Sequence, residues 1–153
     1  MSEYDVPISL PVKYDIDYDD TAGIDCDQSP ADVASFVIPH KCEVVEAGAL
    51  VTEACAGATT TPVVDFDLRP TGGSDTGRGA ADIAHLVLAT TAQGKVMYDL
   101  VGQGTILYPG QEVVVQLLTQ ATGTGAAGHI KPYLTVKYIP EIRANLTGLT
   151  LTA

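Results

Sequence analysis

The sequence predicts an all-β fold: a jelly-roll-like antiparallel β-sandwich of about eight short strands, with an extended acidic N-terminal arm. Three observations carry this. Apolar, often β-branched residues gather in short runs spaced by roughly 8–15 residues and cut by Gly, Thr and Pro. The chain of 153 residues has no Trp and only 2 Phe, so its core must be built from Val, Leu, Ile and Ala, which suits thin packed sheets. Charge is also unevenly placed. Residues 1–32 hold nine of the 19 acidic groups and one base, Lys13, whereas the remaining 121 residues are nearly neutral. The expected division is an arm at 1–32, a sandwich body at 33–140 and a Thr-rich C-terminal tail at 141–153.

Within the arm, Pro7, Pro11 and Pro30 exclude a long helix. Ile8, Leu10, Val12, Tyr14, Ile16 and Tyr18 fall on every second position, which is strand periodicity. The opposite edge becomes acidic through Asp15, Asp17, Asp19 and Asp20. Such a segment can pair with a sheet edge of its own molecule or of a neighbour. The alternative is a solvated tail.

In the body, a first strand is expected at 33–38, stopped by Pro39, and a second at 42–52 with a bulge at Gly48. The segment 62–69 alternates cleanly. Val64, Phe66 and Leu68 face one way, and Asp65, Asp67 and Arg69 the other, as in a half-exposed antiparallel strand. A Gly-rich polar loop follows at 70–79. Residues 81–89 read as a strand, because Gly79 and Thr90-Thr91 leave a helix too short. Further strands are expected at 95–101, at 105–108 before a type II turn at Pro109-Gly110, at 112–118 as a central strand, and at 129–139 before Pro140. Periodicity does not separate an eight-stranded jelly roll from a seven-stranded immunoglobulin-like sandwich.

A pI near 4.3 argues against nucleic acid and against an anionic membrane surface. No segment is apolar enough to span a membrane, and no secretory signal is expected. Synthesis in a cytosol then implies that Cys26, Cys42 and Cys55 are reduced. Catalytic and metal motifs fail on inspection. Asp75-Thr76-Gly77 resembles an aspartic-protease triplet but follows Gly72-Gly73-Ser74 rather than an apolar strand. Asp15, Asp17 and Asp19 match three ligand positions of a calcium loop, yet Asp20 stands where Gly belongs and Cys26 where Glu belongs. His40 and Cys42 lack the second pair of a zinc site. His85 reads as a core or interface residue. Neither a nucleophile elbow nor a P-loop is present. The expectation is a non-enzymatic protein with no cofactor and no metal.

From 33 to 140 the layout resembles the small all-β head proteins of tailed bacteriophages, the decoration (cement) and head-fibre proteins. The resemblance is carried by Phe36-Val37-Ile38-Pro39, Val63-Val64-Asp65-Phe66-Asp67, Gly72-Gly73-Ser74-Asp75, the Leu107-Tyr108-Pro109-Gly110-Gln111-Glu112-Val113 hairpin and Tyr133-Leu134-Thr135-Val136. It implies a homotrimer on the virion surface, made in the host cytoplasm, that binds the major capsid protein and clamps neighbouring coat subunits. Ile8, Leu10, Val12, Tyr14, Asp15, Ile16, Asp17, Asp19 and Asp20 are then the candidate docking residues. Residues 1–32 should be needed for docking and dispensable for folding. The alternative is a carbohydrate-binding jelly-roll module of a phage fibre or receptor-binding protein. It would use Tyr98, Tyr108, Tyr133 or Tyr138 as a platform, although core roles are expected for these tyrosines. A jelly-roll hydrolase would need paired carboxylates. Asp65 and Asp67 share a face, but Arg69 beside them reads as ordinary surface charge.

Overall fold

The computed structural model describes residues 8–9, 13–14, 22–69 and 83–139, with strand pairing alone for the first two pairs. Among the described residues the chain forms eleven strands and no helix. They are β1 (Ile8–Ser9), β2 (Lys13–Tyr14), β3 (Ile24–Asp25), β4 (Ala31–Val37), β5 (Cys42–Ala56), β6 (Val63–Arg69), β7 (Ala84–Val87), β8 (Val96–Asp99), β9 (Ile106–Leu107), β10 (Glu112–Thr119) and β11 (Ala127–Tyr138).

These make two antiparallel sheets. One has six strands: β1 and β3 pair with one edge of β11, β5 pairs with the other, and β8 and β9 line the far side of β5. The second runs β2-β4-β10-β6-β7. The central strands interlock. β4 neighbours β10 in one sheet and β5 neighbours β11 in the other, while both the β4–β5 and β10–β11 connections cross between sheets. Neither sheet can be completed without the other, so the core closes as a unit.

Between the sheets lie Phe36, Phe66, Ile24, Ile38, Val44, Val51, Leu107, Val113, Val115, Leu117, Ile130, Leu134 and Val136, all buried. Phe36 and Phe66 stack with ring centroids 6.4 Å apart and planes 15° apart. The central position expected for 112–118 is found, with β10 paired on both edges. Gly110 has φ of 88° and Gln111 N–H donates to Tyr108 O at 3.1 Å, so the Pro109-Gly110 turn forms as expected.

Four expectations need correction. The body starts earlier than residue 33: β3 pairs with β11, and Ile24 and Cys26 are fully buried. Residues 24–32 therefore belong to the sandwich, because their apolar positions complete its core. Strand lengths are not uniformly short, since β5 has 15 residues and β11 has 12. The irregularities in β5 fall at Val45 and around Thr52, not at Gly48, which stays in register with Tyr133 and Tyr98. Finally, β6 is not half exposed, because Asp65 and Asp67 are as buried as Phe66.

All three cysteines are free and buried. Burial pushes the Cys42 thiol from an ordinary value of 9.0 up to about 11. The folded state thus keeps a proton that the unfolded chain releases. Stability from this group is full below pH 9 and should fall by about 1.4 kcal/mol per pH unit as pH rises toward 11. Urea unfolding across that range should show a shallower decline for Cys42→Ala; parallel slopes would refute the assignment.

Candidate docking surfaces

The sandwich has two distinct flanks. On one, β1 borders the six-stranded sheet and β2 the five-stranded sheet. On the other, the edge strands β8 and β7 pack side by side. This second flank and the turn beyond it expose Val87, Val96, Leu100 and Val101, the last with 63% of its surface accessible. Their presentation is rigid. Asp99 Oδ2 accepts from His85 N–H at 3.0 Å and Oδ1 from Val101 N–H at 3.0 Å. One carboxylate thus covers an amide of the β7 edge and orients the turn. Gly102 N–H donates to Ile83 O at 3.0 Å. A Cβ at Gly102 would lie 2.6 Å from Ile83 Cα and O, so only glycine permits this approach. Edge strands are ordinarily guarded by charge or covered, whereas this one carries an exposed apolar cluster, which makes it a candidate interaction surface.

A second feature lies on the outer face of the six-stranded sheet. Gly48 in β5 is directly opposite Tyr98 in β8 and Tyr133 in β11. Met97 and Leu134 point inward toward the core, so both tyrosines point out. A Cβ at Gly48 would meet Tyr133 Oη at 2.6 Å and Cζ at 2.8 Å. The Tyr133 ring therefore lies flat across β5, and its hydroxyl donates to Glu46 Oε1. Burial, then the Glu46 carboxylate, push the Tyr133 hydroxyl well above its ordinary value. Tyr98 is 58% exposed and Tyr108 is also exposed, with Lys41 Nζ 5.5 Å from the Tyr108 ring centroid. The expected core roles are corrected: of the four tyrosines, only Tyr138 packs against the core, and it is partly buried.

A third feature is polar and buried. Cross-strand pairing aligns Asp32, Gln116, Asp65 and His85 across β4, β10, β6 and β7. Asp65 is fully buried, and its Oδ1 meets His85 Nδ1 at 2.5 Å. Arg69 holds Asp32 through two bonds of 2.7 and 3.2 Å. His85 is thus an edge-strand residue with 44% of its side chain exposed, not a core one. A buried carboxylate behind an accessible imidazole can orient a general base. Among the described residues, however, no hydroxyl or thiol is bonded to the other ring nitrogen.

Cys26 and Cys55 meet beside Gly128, where a Cβ would lie 3.0 Å from Cys55 Sγ and 3.4 Å from Cys26 Cβ. The hydrogen bond between the thiols, then burial, hold the Cys26 proton, while the same bond favours the Cys55 thiolate. No cluster of three or more His, Cys, Asp or Glu suited to a metal occurs among the described residues. Of the candidate docking residues, Ile8 lies in β1 opposite Val136, and Tyr14 lies in β2 opposite Ala34. Leu10, Val12, Asp15, Ile16, Asp17, Asp19 and Asp20 lie outside the described residues, as does the triplet at 75–77. The sequence singles out Tyr98 and Tyr133 as platform candidates, whereas their pairing across Gly48 and the exposure of Val101 follow only from strand register and the turn after β8. No family model, curated protein or solved structure matches the chain.

Proposed function

We propose that this protein is a non-enzymatic decoration protein of a phage capsid. It associates as a homotrimer and docks on the major capsid protein through its N-terminal arm. The observation that supports this reading is the placement of two candidate attachment surfaces on opposite flanks: β1 and β2 on one, the apolar β7–β8 edge on the other. A protein that clamps coat subunits needs at least two surfaces. The arm faces the coat, and the apolar flank packs on the next copy. In a closed trimer each contact joins two different patches, so every copy presents the apolar flank to one neighbour and a second patch to the other. Contacts across coat-subunit boundaries stabilise the shell by mass action.

Two variants separate the surfaces. A chain beginning at Ala22 keeps the buried Ile24 and Cys26; it should remain trimeric by native mass and lose co-sedimentation with empty shells. Val96→Asp with Val101→Asp alters only exposed positions. It should keep its melting temperature and become monomeric, with weaker shell binding through lost avidity. Full shell binding by the Ala22 chain, or an intact trimer in the double variant, would overturn the reading.

A further inference from the structure

We propose that Cys26 and Cys55 are the two halves of a latent disulfide, which a small-molecule disulfide oxidises and which then fastens the start of the sandwich to β5. This is independent of shell attachment. Cys26 directly follows β3, and Cys55 lies in β5. β11 runs between these strands, and its Gly128 faces both cysteines. Cys26 N–H donates to Gly128 O at 2.8 Å, and Cys26 O accepts from Ala121 N–H at 2.8 Å. Cys55 N–H donates to Thr91 O at 2.9 Å, so the backbone is held on both sides. A Cβ on Gly128 would lie 3.0 Å from Cys55 Sγ and 3.4 Å from Cys26 Cβ. Any side chain there would wedge between the thiols, whereas the bare glycine lets them meet. The same point is 3.1 Å from Cys55 Cα, which places Cys26 Cβ within about 6.5 Å of that atom. A shift of β3, a strand of two residues, then closes the Cβ separation to the roughly 3.5–4.5 Å of a disulfide.

Cys42 is excluded from the pair. It begins β5, and Cys55 is near the other end of this 15-residue strand, roughly 40 Å along it by strand rise. Both members of the pair are buried, so they react when β3, held to β11 over only two residues, opens locally. The hydrogen bond from Cys26 favours the Cys55 thiolate, which makes Cys55 the attacking group. Its Sγ attacks one sulfur of the oxidant and releases one small thiolate. Cys26 then gives its proton to water, attacks Cys55 Sγ in the mixed disulfide and expels the second small thiolate. In sum one S–S bond breaks and one forms, and two electrons pass from the cysteine pair to the oxidant. The chain between Cys26 and Cys55 passes through β4 in the other sheet. The new bond therefore closes a ring that includes a crossing between sheets and restricts the unfolded chain.

The full-length protein should be incubated with millimolar oxidised glutathione, quenched in acid and alkylated, and its intact mass and peptide map recorded. The expected product has lost two hydrogens, links Cys26 to Cys55 within one chain and leaves Cys42 to be alkylated. Its melting temperature should rise by roughly 5–10 °C and return to the starting value with dithiothreitol. Cys42→Ser should oxidise at the wild-type rate. Cys26→Ser should stop at a glutathione mixed disulfide on Cys55. A linkage that includes Cys42, or a bond between chains, would overturn the proposal. So would three thiols that all remain alkylatable in the native protein while the urea-unfolded chain oxidises, or a melting temperature that does not rise in the linked product.

Discussion

Phe66→Ala should lower stability by about 3–5 kcal/mol, enough to unfold much of the population at moderate temperature. Phe66 is fully buried in β6 and stacked on Phe36 of β4, two strands away in the same sheet. With only 2 Phe and no Trp in the chain, this pair forms the bulkiest part of the core. Its neighbours Val64, Val113 and Val115 are β-branched and stiff at χ1, so they relax poorly into a cavity. Urea unfolding with unchanged m-value would measure the loss. Phe66→Leu, which restores most of the volume, should recover more than half. A cost below about 1.5 kcal/mol for Phe66→Ala would mean that the interlocked core can collapse around the hole.

The Asp65–His85 pair should show the second large effect. Asp65 is fully buried and its Oδ2 has no hydrogen-bond partner, so the His85 bond at Oδ1 is its main compensation. Removing one partner of a buried pair leaves a desolvated charge and typically costs about 3–5 kcal/mol. Because 44% of the His85 side chain is exposed, water screens part of this; about 2–3 kcal/mol is expected for His85→Ala. Replacing both with Leu should restore most of that stability, since an apolar pair of similar volume is often neutral or better. If the double variant is as unstable as His85→Ala, the pair is not the unit that matters. If His85→Ala costs under about 0.5 kcal/mol, Asp65 draws its compensation from elsewhere on the Arg69–Gln116 face.

How much was legible in advance follows from which forces act locally. Strand existence in the body was readable because period-2 alternation, Pro39 and the Pro109-Gly110 turn act on neighbouring residues. Runs such as 112–118, apolar on both faces, announced a central strand. Partner choice was not readable. The interlock of β4 with β10 and β5 with β11 is a pairing over long sequence separation, set by how the two sheets close on one core. The same limit explains β6. Alternation correctly separated Asp65 and Asp67 from Phe66, but whether the second face is wet depends on Gln116, His85 and Arg69, brought there by register. It explains Gly48 as well: a glycine within a strand reads locally as a bulge, and only pairing reveals that it makes room for the Tyr133 ring.

The amino-acid sequence by itself determined the β class and the acidic character of the N-terminal segment. Each depends on composition or on neighbours one to four residues away. The tertiary structure alone decided that Ile24 and Cys26 are core, that two aspartates are buried, and that Val87, Val96, Leu100 and Val101 share one flank. Burial and adjacency across sheets are properties of the closed core, and no local window of the chain contains them.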